Sequence, residues 1–339
     1  MIGVTVILLN AGLPSTAIGP VEVFQCAGTL WNTFVDEEPR PYFDVTTASV
    51  DGAPVHCAAP MVISASAAID DIEKTDLVFV PTGGLDVETM LDRHARLVPW
   101  LQAQHEGGAR IALVCTGVAF AAAAGLLDGR RATTHWAAAS DYMRLFPNVV
   151  WQPDLLVTEH DRILCGGGVY SAVDLALYLV EKMCGHQVAL DTARALLIDM
   201  PRTYQSGYAV LPISRPHEDT AVRSAEEWIQ QNFEKQIRFE DVADRLGMSP
   251  RNFARRFRAA TGKLPGTYLQ ELRVSVARSR LEGGSDPIQI IGRDVGYEDL
   301  AFFREIFKRH TGMSPAEYRL RFGSAFAPVL PAGAALPEP

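Results

Sequence analysis

A repeated segment near the C-terminal end constrains the fold of this chain more than any other feature. Residues 251–268 (RNFARRFRAATGKLPGTY) align with residues 301–318 (AFFREIFKRHTGMSPAEY), so equivalent positions lie 50 residues apart (301 − 251 = 50). Aromatic residues at i and i+4 share one face of a helix, so the repeat predicts two helical units built to one plan. The matched pairs are Phe253 and Phe303, Phe257 and Phe307, Thr261 and Thr311, Gly262 and Gly312, Pro265 and Pro315, and Tyr268 and Tyr318.

Helix start and stop signals divide each copy into two helices. In the first copy a short apolar-spaced segment ends at Gly247, Ser249 then offers an N-cap, and Pro250 suits the first helical position. The second copy follows the same plan, with Gly296 in the turn and Asp299 as the N-cap. A short helix, a glycine turn and a capped second helix form a helix-turn-helix, so the sequence predicts two of them.

The second helix of the first unit has one apolar side and one basic side. Arginine and asparagine side chains read guanine and adenine edges in the major groove, so this face predicts base contacts. The basic face of the second unit is thinner, and we expect it to contact mainly phosphates. The alternative is a helical bundle whose basic face is merely solvated. The predicted DNA-binding residues are Arg251, Asn252, Arg255, Arg256, Arg258, Arg304 and Lys308.

Charge is distributed unevenly along the chain. The net charge is −9, but residues 1–217 hold 13 Lys and Arg against 23 Asp and Glu, whereas residues 218–323 hold 18 against 16. Residues 250–280 alone hold eight basic residues and one acidic residue, Glu271. An acidic body with one local basic stripe is typical of a protein that binds DNA through a small region.

The repeat, caps and basic face together resemble the AraC/XylS-type DNA-binding domain, which would cover residues 218–323. The resemblance implies two helix-turn-helix units joined by a long helix, here at about residues 265–282. It also implies two recognition helices in successive major grooves of promoter DNA. Members of that family usually activate transcription, less often repress it, so RNA polymerase is the expected target of activation.

The first part of the chain alternates strands and helices. Strand-like segments that are apolar on both faces alternate with helical segments. This pattern predicts an α/β fold with a mostly parallel, doubly wound sheet over residues 1–198. We interpret residues 199–217 as a linker and residues 324–339 as a disordered tail. The predicted strands span 2–9, 42–49, 61–64, 76–84 and 110–115, with a hairpin at 154–168; the predicted helices span 14–31 (interrupted at Gly19-Pro20), 86–105, 117–125, 170–184 and 187–198.

A crevice is expected where the parallel strands end. Cys115 ends one strand, and the helix that follows Thr116-Gly117 points its N-terminus at the sulfur, an arrangement that lowers a thiol pKa. Ligands of open α/β sheets bind at this edge of the sheet. The predicted ligand-binding residues are Glu22, Gly83, Gly84, Cys115, Thr116 and His135.

These landmarks resemble the ThiJ/PfpI superfamily, relatives of the class I glutamine amidotransferases with a flavodoxin-like fold. The motifs PTGG (81–84), VCTG (114–117) and TTHW (133–136) carry the resemblance, with Glu22. The amidotransferase triad also needs a late His-x-Glu motif, which is missing here, so glutamine hydrolysis is not expected. A ThiJ/PfpI domain followed by an AraC-type domain is similar to the GlxA-type regulators.

Two functions follow from this combination. The first is a cytoplasmic, homodimeric transcriptional regulator that senses a small molecule in the crevice, without a cofactor or metal and without membrane contact. The second is a cysteine-dependent hydrolase, hydratase or glyoxalase-like enzyme with an attached DNA-binding domain. In that enzyme Cys115 would be the nucleophile, and Glu22 or His135 would move protons. The five cysteines include no CxxC pair, so no disulfide framework or zinc site is predicted.

Overall fold

The computed structural model describes residues 1–199 and 217–323. The chain divides into two compact units, Met1–Ser206 and Gly207–Pro339, and each is described below by itself. Nearly all of the predicted linker at 199–217, and the whole predicted tail at 324–339, lie outside the described residues, so both stay predictions. Among the described residues, no helix is both long enough and apolar enough to cross a bilayer.

The first unit is built on a seven-stranded sheet. Every neighbouring pair in this sheet is parallel except the hairpin at one edge, which confirms the predicted mostly parallel α/β fold. In chain order the strands of the described part are β1 (Ile2–Ile7), β2 (Phe43–Ser49), β3 (Val55–His56), β4 (Val62–Ile63), β5 (Ala67–Ala68), β6 (Leu77–Val80), β7 (Arg110–Val114), β8 (Arg131–Ala132), β9 (Val150–Trp151), β10 (Val157–His160) and β11 (Ile163–Gly166). The sheet order is β10-β11-β7-β6-β1-β2-β5.

Helices cover both faces of this sheet. Successive residues of β6 enter opposite apolar clusters, Val78 and Val80 in one and Leu77 and Phe79 in the other. This alternation explains why the central strands are apolar throughout. The helices of the first unit are α1 (Ser15–Cys26), α2 (Leu30–Phe34), α3 (Val87–Arg93), α4 (Leu97–Glu106), α5 (Val118–Ala123), α6 (Ala139–Leu145), α7 (Ser171–Cys184) and α8 (His186–Ala195).

Three predicted elements differ from the structure. The helix expected over 14–31 continues through Pro20, ends at Cys26, and is followed by Gly28 at φ +75° before α2 begins. The helix expected over 86–105 is two helices that are interrupted at His94. This residue is buried, its Nδ1 pairs with the Met90 carbonyl, and its Nε2 accepts a hydrogen bond from the Asn10 N–H. The strand expected over 61–64 pairs with β3 in a separate two-stranded sheet.

The second unit is helical in its described part. Its helices are α9 (Thr220–Asn232), α10 (Phe239–Arg245), α11 (Pro250–Thr261), α12 (Pro265–Gly283), α13 (Ile288–Asp294), α14 (Leu300–Thr311) and α15 (Pro315–Phe322). Helices α10 and α11 form one helix-turn-helix, α13 and α14 form the other, and α12 matches the predicted connecting helix.

The sequence repeat is also a repeat of packing geometry. Phe257 meets Tyr268 with ring centroids 5.4 Å apart at 79°, and Phe307 meets Tyr318 at 5.4 Å and 83°. In each copy the threonine that follows donates its hydroxyl hydrogen bond back to the phenylalanine carbonyl at 2.8 Å. Each copy therefore closes its own aromatic core.

Candidate nucleic-acid interface and ligand crevice

Local capping fixes where α11 and α14 begin. Ser249 Oγ accepts a hydrogen bond from the Asn252 N–H at 3.4 Å, and Pro250 occupies the first turn of α11. Asp299 Oδ1 accepts hydrogen bonds from the N–H groups of Ala301 at 2.7 Å and Phe302 at 3.2 Å at the start of α14. Both predicted N-caps are therefore confirmed.

The outward face of α11 carries three exposed arginines, Arg251, Arg255 and Arg258. They follow each other at i, i+4 and i+7, so they lie along one side of the helix. Arg255 Nη2 donates to Asn252 Oδ1 at 2.9 Å, which orients these two side chains together. Within residues 217–323, the side chains of Arg251 and Arg258 form no hydrogen bond or ion pair, so their guanidinium groups are available to a ligand.

Arg256 differs from the other arginines of α11. Its Nε and Nη2 donate to Asp219 Oδ2 and Oδ1 at 2.6 and 3.0 Å, a bidentate pair. Asp219 also caps α9 by accepting from the Val222 N–H, and the Arg256 side chain holds the pKa of this carboxyl below its ordinary value. The DNA contact predicted for Arg256 stays a prediction, and in the structure this guanidinium is already bound.

Much of the basic stripe at 250–280 serves the fold rather than the surface. Arg273 is only 7% exposed and donates to the carbonyls of Phe233 and Lys235, each at 2.8 Å. Arg280 bonds Asp286 and Asp294, Arg278 bonds the Tyr318 hydroxyl, and Lys263 bonds Glu271. The surface available for phosphates is therefore smaller than the charge count along the sequence indicated.

The outward face of α14 has a different chemistry. Arg304 and Lys308 are exposed and form no ion pair within the described part of this unit, whereas Glu305 pairs with Arg309 at 2.6 Å. At the start of the helix, Ala301 is exposed and Phe302 leaves 45% of its surface open. The sequence analysis did not predict an exposed Phe302. The signal available was its position one residue before the core residue Phe303, which places it outside the core face of the helix.

In the first unit, Cys115 lies at a strained turn between β7 and α5. Its φ is +54°, a left-handed conformation that is uncommon for any residue with a side chain. Gly117 approaches β6 so closely that a Cβ atom would lie 2.2 Å from the Pro81 carbonyl oxygen. The cysteine is 3% exposed, so the turn buries its thiol beneath the edge of the sheet.

The expected thiolate at Cys115 is wrong. Burial raises the pKa of this thiol above its ordinary value, and the opposing effects of the Thr82 side chain and the Thr116 N–H do not reverse the shift. The helix N-terminus was expected to lower the pKa. However, desolvation of the charged form dominates at this depth, and α5 has only six residues. The group is a neutral thiol at physiological pH.

Buried hydroxyl groups hold the turn, and the sequence analysis missed all of them except Thr116. Thr134 donates to the Cys115 carbonyl at 2.8 Å, and Tyr142 donates to the Thr116 carbonyl at 2.7 Å. The Thr82 N–H donates to Thr16 Oγ1 at 3.2 Å. The threonines of the PTGG and TTHW motifs were the available signal, because buried hydroxyls need partners.

The other predicted ligand residues are only partly brought together. The Gly83 N–H already donates to Thr116 Oγ1 at 3.4 Å, and Gly84 lies beside it at φ +117°. His135 caps the short turn at Trp136–Ala138 through its Nδ1, and Glu22 is exposed beside Cys26, whose pKa it helps to raise. Within residues 1–199, no hydrogen bond or ion pair joins Glu22 or His135 to Cys115.

A small crevice opens on the other side of Thr82. Its cavity volume is about 10 Å³, which is room for about one water molecule, and none of its lining side chains is charged. Its polar groups are the Thr82 hydroxyl, which is buried without an oxygen or nitrogen partner among the described residues, and the Cys57 thiol, whose pKa burial raises. The lining residues are Leu8, Leu9, Gly12, Leu13, Pro14, Ala17, Val55, Cys57, Ile63, Pro81 and Thr82.

Comparison with known proteins agrees with both halves of this geometry. The profile of the DJ-1/PfpI family matches residues 17–182, and that of a helix-turn-helix domain matches residues 242–321. The HTH-type transcriptional regulator CdhR of Pseudomonas aeruginosa is 27% identical over 296 residues, covering 86% of this chain and 87% of that protein. The regulator ArgR of the same organism is 30% identical over 226 residues, covering 65% of this chain and 67% of that protein. The chain belongs to the HTH-type transcriptional regulators.

This regulator joins a DJ-1/PfpI domain to an AraC-type helix-turn-helix domain, which confirms the predicted GlxA-type combination. GlxA of Rhizobium meliloti is itself 28% identical over 302 residues, covering 84% of this chain and 87% of that protein. A crystal structure of an AraC family transcriptional regulator from Pseudomonas putida superimposes with a TM-score of 0.50 at 21% identity, over 58% of this chain and 100% of that one. That likeness concerns the fold alone.

The enzyme alternative finds less support. Isonitrile hydratase of Pseudomonas putida is 30% identical over 152 residues, which cover 44% of this chain and 62% of that protein. The relatives that span both domains are named regulators.

Proposed function

We propose that this regulator binds promoter DNA by placing α11 and α14 in successive major grooves, and that a small molecule bound in the first unit controls this binding. The observation that carries the proposal is the pair of capped helices, 50 residues apart in sequence, that expose Arg251, Arg255 and Arg258 on one and Arg304 and Lys308 on the other. An α-helix fits the major groove, and arginine is the side chain that most often reads guanine there.

The first unit supplies the regulatory site in this proposal. A crevice whose lining side chains carry no charge, with the Thr82 hydroxyl in its wall, favours a small neutral ligand. Thr82 links the crevice to the turn at Cys115, so the predicted ligand residues Gly83, Gly84, Cys115 and Thr116 would form its neighbouring wall. The ligand must bind the DNA-competent state more tightly than the other state, because equal affinity for both changes nothing.

Assembly and location complete the proposal. A cytoplasmic homodimer would place two DNA-binding units on two half-sites, and tethering would strengthen a modest interaction of each one. Activation through RNA polymerase is the mode that the AraC resemblance favours. The segment 199–217 would transmit the response between the units.

Selection of binding sites from random DNA, followed by gel-shift titration of the full chain, tests the proposal. We expect a sequence-selective complex whose affinity falls strongly in the combined variant Arg251→Ala, Arg255→Ala, Arg258→Ala. Arg144→Ala, which removes an exposed arginine of the first unit, provides the control and should bind normally. A protein without sequence selectivity would instead be the helical bundle with a solvated basic face.

A further inference from the structure

We propose that the second helix-turn-helix unit reads thymine methyl groups through Phe302 and Ala301. The inference rests on the proposed function and names the class of base that α14 recognises. It assigns base contacts to two uncharged residues, which the charge pattern of this helix does not identify.

The repeat identifies these residues as the counterparts of base-reading positions. A shift of 50 residues places Ala301 at the position of Arg251 and Phe302 at that of Asn252. Both pairs lie in the first turn after the N-cap, and Asp299 Oδ1 accepts hydrogen bonds from the N–H groups of Ala301 and Phe302. The first residues of a recognition helix are those that contact base edges.

The exposure of Phe302 is not a consequence of loose packing. Its neighbours on the inner face, Phe303, Ile306 and Phe307, are fully buried, while Phe302 keeps 45% of its surface open. Its ring rests against Tyr297 with centroids 5.9 Å apart at 63°, and Tyr297 is itself only 6% exposed. The ring is thus held on a fixed support and presents its free part outward.

The charges beside the apolar pair suit duplex DNA on the Ala301 side of the helix. Arg304 and Lys308 share the face of Ala301 and form no ion pair in the described part of the unit, whereas Phe302 lies one turn before Glu305, whose charge is paired with Arg309. The major groove has the complementary arrangement, with phosphates at its edges and the C5-methyl group of thymine on its floor. Alanine and phenylalanine are side chains that contact this methyl group.

The two helices would therefore read different bases. Arginine and asparagine on α11 suit guanine and adenine, whereas the apolar pair on α14 suits thymine. The preferred DNA should contain two unlike boxes about one helical turn apart, and only the α14 box should depend on thymine methyl groups.

Deoxyuridine substitution tests this directly, since it removes the methyl group and leaves the base pairing intact. The full chain is titrated against its selected site, in which one thymine at a time is replaced by deoxyuridine. Burial of one methyl group corresponds to about fourfold in affinity. We expect a loss of that size at one or two thymines of the α14 box for the wild-type protein. In Phe302→Ala the loss should disappear at the thymine that Phe302 contacts, while a thymine contacted by Ala301 should keep its response.

Two further variants separate base reading from a structural role. Phe302→Asn recreates the chemistry of Asn252, and we expect selection with this variant to return adenine where the wild type selects thymine. Leu320→Ala, which trims an apolar residue that is 89% exposed on α15, should leave the deoxyuridine profile unchanged.

The outcomes distinguish the reading of thymine from DNA binding as such. A selective complex that is insensitive to deoxyuridine, or a deoxyuridine effect that is unchanged at every thymine in Phe302→Ala, overturns the inference alone. If Phe302→Ala weakens thymine and deoxyuridine sites equally, the residue is only structural. A protein without any selective complex overturns the proposed function as well.

Discussion

Arg255 extends from the middle of α11, and its guanidinium is hydrogen-bonded to Asn252 Oδ1 at 2.9 Å. We expect Arg255→Ala to cost about 1–3 kcal/mol of binding free energy if the side chain contacts guanine bidentately, and to relax the sequence preference at one base pair. Gel-shift titration against single-base variants of the selected site measures both effects. A uniform loss on all sequences would mean that Arg255 contacts only phosphate.

Lys308 provides the complementary prediction on α14. It is exposed and offers a flexible ammonium group, which suits a phosphate rather than a base edge. Lys308→Ala should weaken binding to all sequences alike and reduce the slope of log affinity against log salt by about 1. A change in base preference with an unchanged salt slope would contradict this assignment.

Cys115 and Cys165 make the first unit sensitive to alkali. Burial raises the pKa of Cys115 above its ordinary value of 9.0 and that of Cys165 to about 12. The folded unit keeps both thiols neutral, whereas the unfolded chain ionises them above pH 9. Stability that is complete below pH 9 is therefore lost as the pH rises toward the folded-state values.

We expect the Tm of the first unit to fall between pH 9 and pH 11 and to fall less steeply in Cys115→Ser, because the serine hydroxyl does not ionise in that range. Thermal unfolding at closely spaced pH values measures the slope, and the Tm difference at pH 7.5 provides the baseline. Equal slopes in the two proteins would show that Cys115 is ionised in the folded state or unperturbed.

At the level of elements, the turns of the two helix-turn-helix units differ in how tightly they are enclosed. Both Gly247 and Gly296 have positive φ, +64° and +90°. A Cβ atom on Gly247 would meet nothing within 4 Å, whereas on Gly296 it would lie 2.6 Å from Arg273 Nη2 and 2.8 Å from the Glu234 carbonyl oxygen. The first turn is open, and the second is packed against a buried guanidinium.

Gly247→Ala should therefore cost about 1–2 kcal/mol of unfolding free energy, the price of a left-handed alanine. Gly296→Ala should cost about 1–3 kcal/mol more, because it also displaces Arg273 from its carbonyl partners. Urea unfolding of the full chain compares the two variants. Equal losses would contradict the enclosed packing of the second turn.

The contact between α11 and the start of α9 combines a cap with an ion pair. Asp219→Asn retains an N-cap oxygen and removes only the charge opposite Arg256, which is 41% exposed, so we expect a loss of about 0.2–1 kcal/mol. Asp219→Ala removes the cap as well, and it should cost about 0.5–2 kcal/mol more. Hydrogen exchange of α9 peptides locates the effect. Protection that is equal in both variants would mean that the cap contributes nothing.

At the level of the whole molecule, two compact units predict two separable responses. A ligand of the crevice should stabilise the first unit alone. At a ligand concentration of 100 times the Kd, its free energy of unfolding should rise by about 2.7 kcal/mol. Thermal unfolding of the full chain against small neutral metabolites measures this. Cys57→Phe, which fills the crevice, should abolish the shift, while Cys26→Phe on α1, outside the lining, should retain it.

Features that depend on neighbouring residues were predicted from the sequence, whereas features that depend on distant residues were not. Ser249 and Asp299 were identified as caps because capping depends on residues three positions away. The role of Arg273 was not readable, since its carbonyl partner at Phe233 lies 40 residues distant. The thiolate expected at Cys115 failed for a related reason: the following helix is visible in the sequence, but the depth of burial is a property of the assembled sheet.

The paired aromatic cores affect how such a regulator can evolve new DNA preferences. Each copy packs around its own tyrosine, Tyr268 or Tyr318, and the partly buried Phe233 and Val276 touch both clusters. Because most contacts of each core lie within one copy, a mutation that changes the DNA-facing side of α11 need not disturb α14, or the reverse. The connecting helix α12 keeps the spacing between the two copies. New operator sequences are then accessible one box at a time, from a duplicated module whose halves drift separately.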